Sequence, residues 1–165
     1  MESRIHSITL GVHDLPRAIA FYRDGLGFPT TVEAGAPIAF FTTAGVRLSL
    51  YPREQLAAYV GVPAGPIQPG FGGFTLDHFV RRREEVAAVL EQAARAGGKI
   101  LKPAQDVFWG GHSGIFADPD GHCWEVAWAP MFSFDASGAV VFPKYKTGLP
   151  PRATQHPLAS GPAWS

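Results

Sequence analysis

The chain has one cysteine, Cys123, in 165 residues. No internal disulfide can form, and a chain that uses cysteine so sparingly is expected in a reducing cytoplasm. Charge is scarce too: charged residues make up 17%, and 14 Lys and Arg balance 14 Asp and Glu. With no basic excess there is nothing to hold a polyphosphate backbone or an anionic lipid surface, so nucleic acid and membrane are excluded as expected partners. Long apolar runs are missing as well. Gly, Pro or a charge interrupts each one before the roughly 20 residues that span a bilayer, and Met1 to His13 lacks the apolar centre of a secretion signal. What is present, 46% hydrophobic residues, suits a compact globular protein rather than a disordered chain or a rod.

The order of elements follows from periodicity. Ile5 to Val12 alternates apolar with polar or small residues and predicts a strand. Asp14 then stands at a helix N-cap position, Pro16 sits in the first turn, and Ile19, Phe21, Tyr22 and Leu26 recur at helical spacing until Gly25 and Gly27. Three strands are expected at Phe28 to Glu33, Ile38 to Thr42 and Val46 to Tyr51, with a short helix over Arg53 to Val60. Three prolines and three glycines between Gly61 and Gly70 make a linker. The order then recurs: a strand over Phe71 to Val80, a helix over Glu84 to Ala96, and strands near Lys99 to Leu101, Gly114 to Asp118 and His122 to Trp128. The expected organisation is a first βαβββ module at 1–60, a linker at 61–70 and a second module at 71–129. A packed arm follows at 130–143, turning over Asp135 to Gly138, and then a mobile tail at 144–165.

Matching the halves by their punctuation pairs Val12 with Val80 and Gly45 with Gly121, hence Ser7 with Thr75 and Ser49 with Glu125. Side chains alternate along a strand. Trp124, Val126 and Trp128 therefore share the face toward the helices, as do Leu48 and Leu50, and Ile8 and Leu10. That leaves Ser7, Thr9, Arg47, Ser49, Tyr51, Thr75, Asp77, Cys123 and Glu125 for a polar-lined cleft.

The strings Val12-His13-Asp14-Leu15, Phe21-Tyr22 and Gly25-Leu26-Gly27-Phe28, with Asp118-Pro119-Asp120-Gly121-His122-Cys123-Trp124-Glu125 and the repeated βαβββ order, resemble the vicinal oxygen chelate superfamily. Glyoxalases, extradiol dioxygenases, thiol transferases that inactivate fosfomycin and bleomycin-binding proteins belong to it. The resemblance covers Ile5 to Trp128. It implies an α+β fold of paired βαβββ modules, with mixed strands curled around a central cleft, and a homodimer. In metal-using members, ligands come from the first and fourth strands of each module, positions that here hold Ser7, Ser49, Thr75 and Glu125. Neutral hydroxyls are weak donors to a divalent cation. No tight metal is expected, although a weakly held ion at Glu125 stays open, and no other cofactor is implied.

Other residues carry narrower expectations. A one-residue register slip would be needed to make His6 a ligand, and it would turn the whole strand over. His78 and His122 fall on the packed faces. His112 lies in Phe108-Trp109-Gly110-Gly111-His112-Ser113, a loop whose rings and imidazole can close over a ligand or simply pack. Glu125 and Asp77 are the candidate catalytic carboxylates, because burial without a cation would favour proton transfer, and Arg47 is their expected counter-charge or an anchor for an anionic group. Cys123 is expected to be an inert thiol, because its neighbour His122 falls on the other, packed face. The leading expectation is a protein that binds a small, largely apolar or aromatic molecule without a tight metal. Phe79, Trp109, Tyr51 and Phe108 are its walls, Arg47, Asp77, His112 and Glu125 its directional contacts, and Ser7, Ser49 and Thr75 line the same cleft. The alternative is an enzyme of the same superfamily, a lyase, isomerase or dioxygenase, that uses Glu125 as base or metal ligand. Sequestration of a cationic drug gains no support from a net charge of zero.

Overall fold

The computed structural model describes residue 2 and residues 4–33, 35–65 and 71–141. The tail expected over Lys144 to Ser165, and part of the linker, lie outside the described residues. Strand β1 (Ser7–Val12) leads into helix α1 (Leu15–Ile19), which widens into a π-helical turn over Ala20–Gly25. Asp14 caps α1 by accepting from the Arg17 N–H at 3.0 Å, and Pro16 sits in its first turn, as its residue pattern dictates. Strands β2 (Ala39–Phe41) and β3 (Arg47–Pro52) and helix α2 (Arg53–Val60) complete the first half. The second half holds β4 (Leu76–Phe79), helix α3 (Glu84–Arg95), β5 (Lys99–Asp106), β6 (His112–Ala117) and β7 (Cys123–Trp128). A small hairpin, β8 (Ser133–Phe134) and β9 (Val140–Val141), forms the arm. Among the described residues no helix is long and apolar enough to cross a membrane.

The halves repeat each other. The first sheet runs β1-β3-β2 and the second β4-β7-β6-β5, with β1 parallel to β3 and β4 parallel to β7. Gly45 and Gly121, the residues that align the halves, both take positive φ, 88° and 93°, a turn geometry that other residues resist. Three strands differ from expectation. Phe28 to Glu33 makes only the single bridge Thr30 to Phe41. Pro29 has no N–H for a ladder, and Thr30 Oγ1 donates to the Phe40 carbonyl at 2.6 Å instead. The strand ahead of α3 starts at Leu76 rather than Phe71. Conversely, β5 runs on to Asp106 through Pro103, because it is an edge strand whose register shifts at that point.

The sheets are not closed. They share one hydrophobic core, which takes Leu10, Val12, Leu48 and Leu50 from the first sheet and Leu76, Phe116, Trp124 and Val126 from the second. The ring of Trp124 lies 6.0 Å from both Tyr22 and Phe28, and Phe21 lies 6.3 Å from Phe116, so the apolar faces of both sheets look inward at the helices. Helix α3 buries Val86, Leu90 and Ala93 at helical spacing against its own sheet.

A polar lock spans this core. The Tyr22 hydroxyl donates to Asp118 Oδ2 at 2.7 Å and accepts from Trp124 Nε1 at 3.1 Å. His122 Nδ1 lies 2.9 Å from the same oxygen, and the N–H groups of Asp120 and His122 donate to Asp118 Oδ1. Next to it, the His13 N–H and the Arg17 guanidinium donate to Asp120 Oδ1 at 2.8 and 3.2 Å. Burial works against the ionised form of Asp118, but His122 and the Tyr22 hydroxyl outweigh it and bring its carboxyl below the usual range. Burial also opposes the His122 imidazolium, and the Asp118 carboxylate more than compensates, raising that imidazole. Asp118 therefore stabilises the fold above the unfolded carboxyl pKa of about 4 and ceases to as pH falls through its lowered value. His122 does so below about 6.5 and ceases to as pH rises through its raised value. The urea midpoint is expected to fall between pH 6 and pH 9, and His122→Gln to flatten that fall; a midpoint unchanged over this range in the wild type would contradict the pairing.

Candidate functional site

With the apolar faces turned inward, each sheet turns its polar face away from the shared core. On the first, Ser7 stands opposite Arg47, Thr9 opposite Ser49 and Gly11 opposite Tyr51. Ser49 is fully buried; Thr9 Oγ1 lies 2.7 Å from its hydroxyl and Ser7 Oγ 3.4 Å. These hydroxyls satisfy one another, Arg47 is exposed and Tyr51 half-buried.

On the second face Asp77 stands opposite Glu125, Glu125 opposite Ile115, and Ile115 opposite Lys102, so one row crosses four strands. Paired residues project to the same side. Thr75 Oγ1 donates to Asp77 Oδ1 at 3.1 Å. Asp77 is exposed and Glu125 only half-buried, which removes the full burial that the proton-transfer expectation requires. Among the described residues no ion pair reaches either carboxylate, and none joins them to Arg47, which lies on the other face. Phe79 follows Asp77 on the same side, and Trp109 is joined to it through Phe132, whose ring lies against both. Phe108 is 79% exposed at the loop tip.

The sequence-predicted residues thus fall into two groups. Thr75, Asp77, Glu125, Phe79 and Trp109 come together, whereas Ser7, Arg47, Ser49 and Tyr51 form a separate face. His112 belongs to neither. It lies within β6, not in the loop, on the side of Gly114 and Phe116, where a Cβ on Gly114 would collide with Leu90 of α3. There His112 Nδ1 sits 2.8 Å from Asp106 Oδ1, which also takes the Arg83 guanidinium at 2.6 Å. His78 lines a groove against α3, a cavity of about 620 Å³, and His122 serves the lock. Burial and the nearby Asp118 charge push the Cys123 thiol up, in keeping with an inert cysteine. Lys102 joins the face beyond the expected end of its strand, because Pro103 conceals how far that strand runs.

The donor set does not fit the divalent metal centre of the superfamily. Ser7, Ser49 and Thr75 are neutral, two of the three are tied into hydroxyl networks, and no group of three His, Cys, Asp or Glu converges among the described residues. Like charges directly across a strand pair are destabilising. Glu125→Gln is therefore expected to raise the urea midpoint slightly at pH 7, and a clear loss of stability would contradict an unpaired Asp77 and Glu125.

Comparison with known proteins matches this architecture. The chain fits the family model of the Glyoxalase/Bleomycin resistance protein/Dioxygenase superfamily over residues 4–126. A glyoxalase-related enzyme from Fulvimarina pelagi is 36% identical and superposes with a TM-score of 0.76, over 85% of this chain and 98% of that one. A glyoxalase/bleomycin resistance protein/dioxygenase from Nocardioides, 24% identical, gives 0.66 over 78% and 85%. A lactoylglutathione lyase from Agrobacterium tumefaciens, 21% identical, gives 0.57 over 76% and 93%, and these last two speak for the fold alone. Paired modules with the same strand order and a profile match over most of the chain place it in one family: the protein belongs to the glyoxalase/bleomycin resistance protein/dioxygenase superfamily.

Proposed function

We propose that the protein binds a small, largely aromatic molecule on the β4–β7 face without a tightly held metal, and that a homodimer completes the site. The observation that carries this reading is the adjacency, on one open face, of an aromatic corner and two carboxylates that make no ion pair. Rings supply area, and the carboxylates supply direction to a hydroxyl, amine or other donor. Within one chain the face bearing Ser7, Arg47 and Tyr51 belongs to the other sheet, so a second copy is what brings Arg47 to Asp77 and Glu125. The outer edges of β1 and β4, unpaired in the sheet order, are suited to that meeting.

A second reading has its own support. Glu125 is half-buried and makes no ion pair among the described residues, a position open to a general base in an isomerase or lyase of the superfamily. In that case Glu125→Gln removes turnover while the fold is kept.

Both readings meet one experiment. Thermal shift against a panel of aromatic amines and phenols, with chelator present throughout, is expected to raise the melting temperature by a few degrees for at least one compound, and light scattering to give the mass of a dimer. A panel with no stabilising compound would overturn the binding reading, and a monomer at working concentration would overturn the dimer.

A further inference from the structure

Phe79 and Trp109 are the body's walls at one end of the β4–β7 face, and a third ring already stands against them. Phe132 comes from the arm, outside both modules. Its ring centroid lies 4.8 Å from Phe79 at an interplanar angle of 56° and 6.2 Å from Trp109 at 31°. Both distances are within the 4.5–7 Å range of favourable aromatic pairs. The geometry leaves Phe132 where an incoming ring would gain most, in contact with both walls at once.

The surroundings fix that corner on the body side and make it separable on the arm side. The indole of Trp109 folds over Gly111 so closely that a Cβ there would overlap the six-membered ring, and only glycine permits this ring position. The arm is closed on itself: Asp135 Oδ1 accepts from the Ser137 N–H at 2.8 Å, the Ser137 hydroxyl at 2.6 Å and the Ala139 N–H at 3.1 Å. It is laid on the body by the Phe132 ring and by the Arg81 guanidinium, 4.4 Å over the Phe134 ring. A hairpin whose backbone bonds are internal can shift without breaking a sheet ladder.

We infer that Phe132 is the specificity-determining residue of the β4–β7 face, an internal ring that competes with the ligand for the corner between Phe79 and Trp109. This rests on the reading above that the face holds an aromatic molecule. It also narrows the ligand class. Asp77 precedes Phe79 by two residues, roughly 6.6 Å along the strand, and Glu125 stands beside Asp77. A ring in the place of Phe132 therefore reaches the carboxylates with a donor about one ring further on. The class is a fused or extended aromatic carrying an amine or hydroxyl at its far end.

The test compares wild type, Phe132→Ala and Phe132→Leu by calorimetric titration with 1-naphthylmethylamine and 2-naphthol, with cyclohexylmethylamine as the non-aromatic control. Phe132→Ala is expected to bind the two naphthalenes about tenfold more tightly than wild type, the worth of one good ring contact, and the control no better. Phe132→Leu keeps apolar volume without a ring, and carries the same comparison if the alanine variant loses stability. Wild-type binding of a naphthalene with no gain in either variant would overturn the role of Phe132 and leave the aromatic site standing. No naphthalene bound by any of the three proteins would overturn both.

Discussion

The carboxylate of Asp118 has no solvent exposure, and a charge in that position cannot be left unpaired. Its partners come from both halves of the chain: Tyr22 from the helix of the first, His122 from the β6–β7 turn of the second. Breaking a buried pair of this kind by removing one partner costs about 3–5 kcal/mol. That cost fixes how the halves sit, with Trp124 against Tyr22 and Phe28 and the apolar faces of both sheets directed at a common core. The outward direction of the polar faces is a consequence of this packing. So is the separation of Arg47 from the carboxylates.

The internal repeat divides labour. Thr9 faces Ser49 in the first module as Asp77 faces Glu125 in the second, at equivalent positions of the same parallel strand pair. In one case two hydroxyls close on each other at 2.7 Å; in the other two carboxylates stand on neighbouring strands and make no ion pair. Identical backbone register thus supports a hydrogen-bonded hydroxyl pair and an accessible pair of carboxylates without an ion-pair partner. Unpaired carboxylates of this kind survive in proteins where binding or chemistry makes use of them. On the proposed reading the second module bears the site, and the first acts as its scaffold and, across a dimer, its counter-charge.

Strand alternation makes the composition of each face legible in the sequence alone. Trp124 and Val126 against Cys123 and Glu125, and Leu48 and Leu50 against Arg47 and Ser49, all divide as the period of two requires. Alternation says which side chains share a face, not where that face looks, so the separation of the two polar faces has no sequence signal. His112 departs from expectation because its glycine-rich approach has loop composition while the residue itself opens β6. Phe28 to Glu33 has strand composition, but Pro29 and the Thr30 hydroxyl divert its hydrogen bonds. Phe132 belongs to an arm whose packing depends on contacts with residues far away in sequence, for which no local pattern exists.

Mixed-chain complementation tests the central claim, that a working site takes one polar face from each of two copies. One variant carries Arg47→Glu, the other Glu125→Gln, and each alone is assayed for binding of the best aromatic compound from the panel. After co-refolding, a heterodimer has one site with both defects and one with neither. Recovery of tight binding at about half the sites in the heterodimer is the predicted result. Loss in the Glu125→Gln protein with no recovery on mixing, and unaltered binding by the Arg47→Glu protein alone, would contradict it by placing the whole site within a single chain.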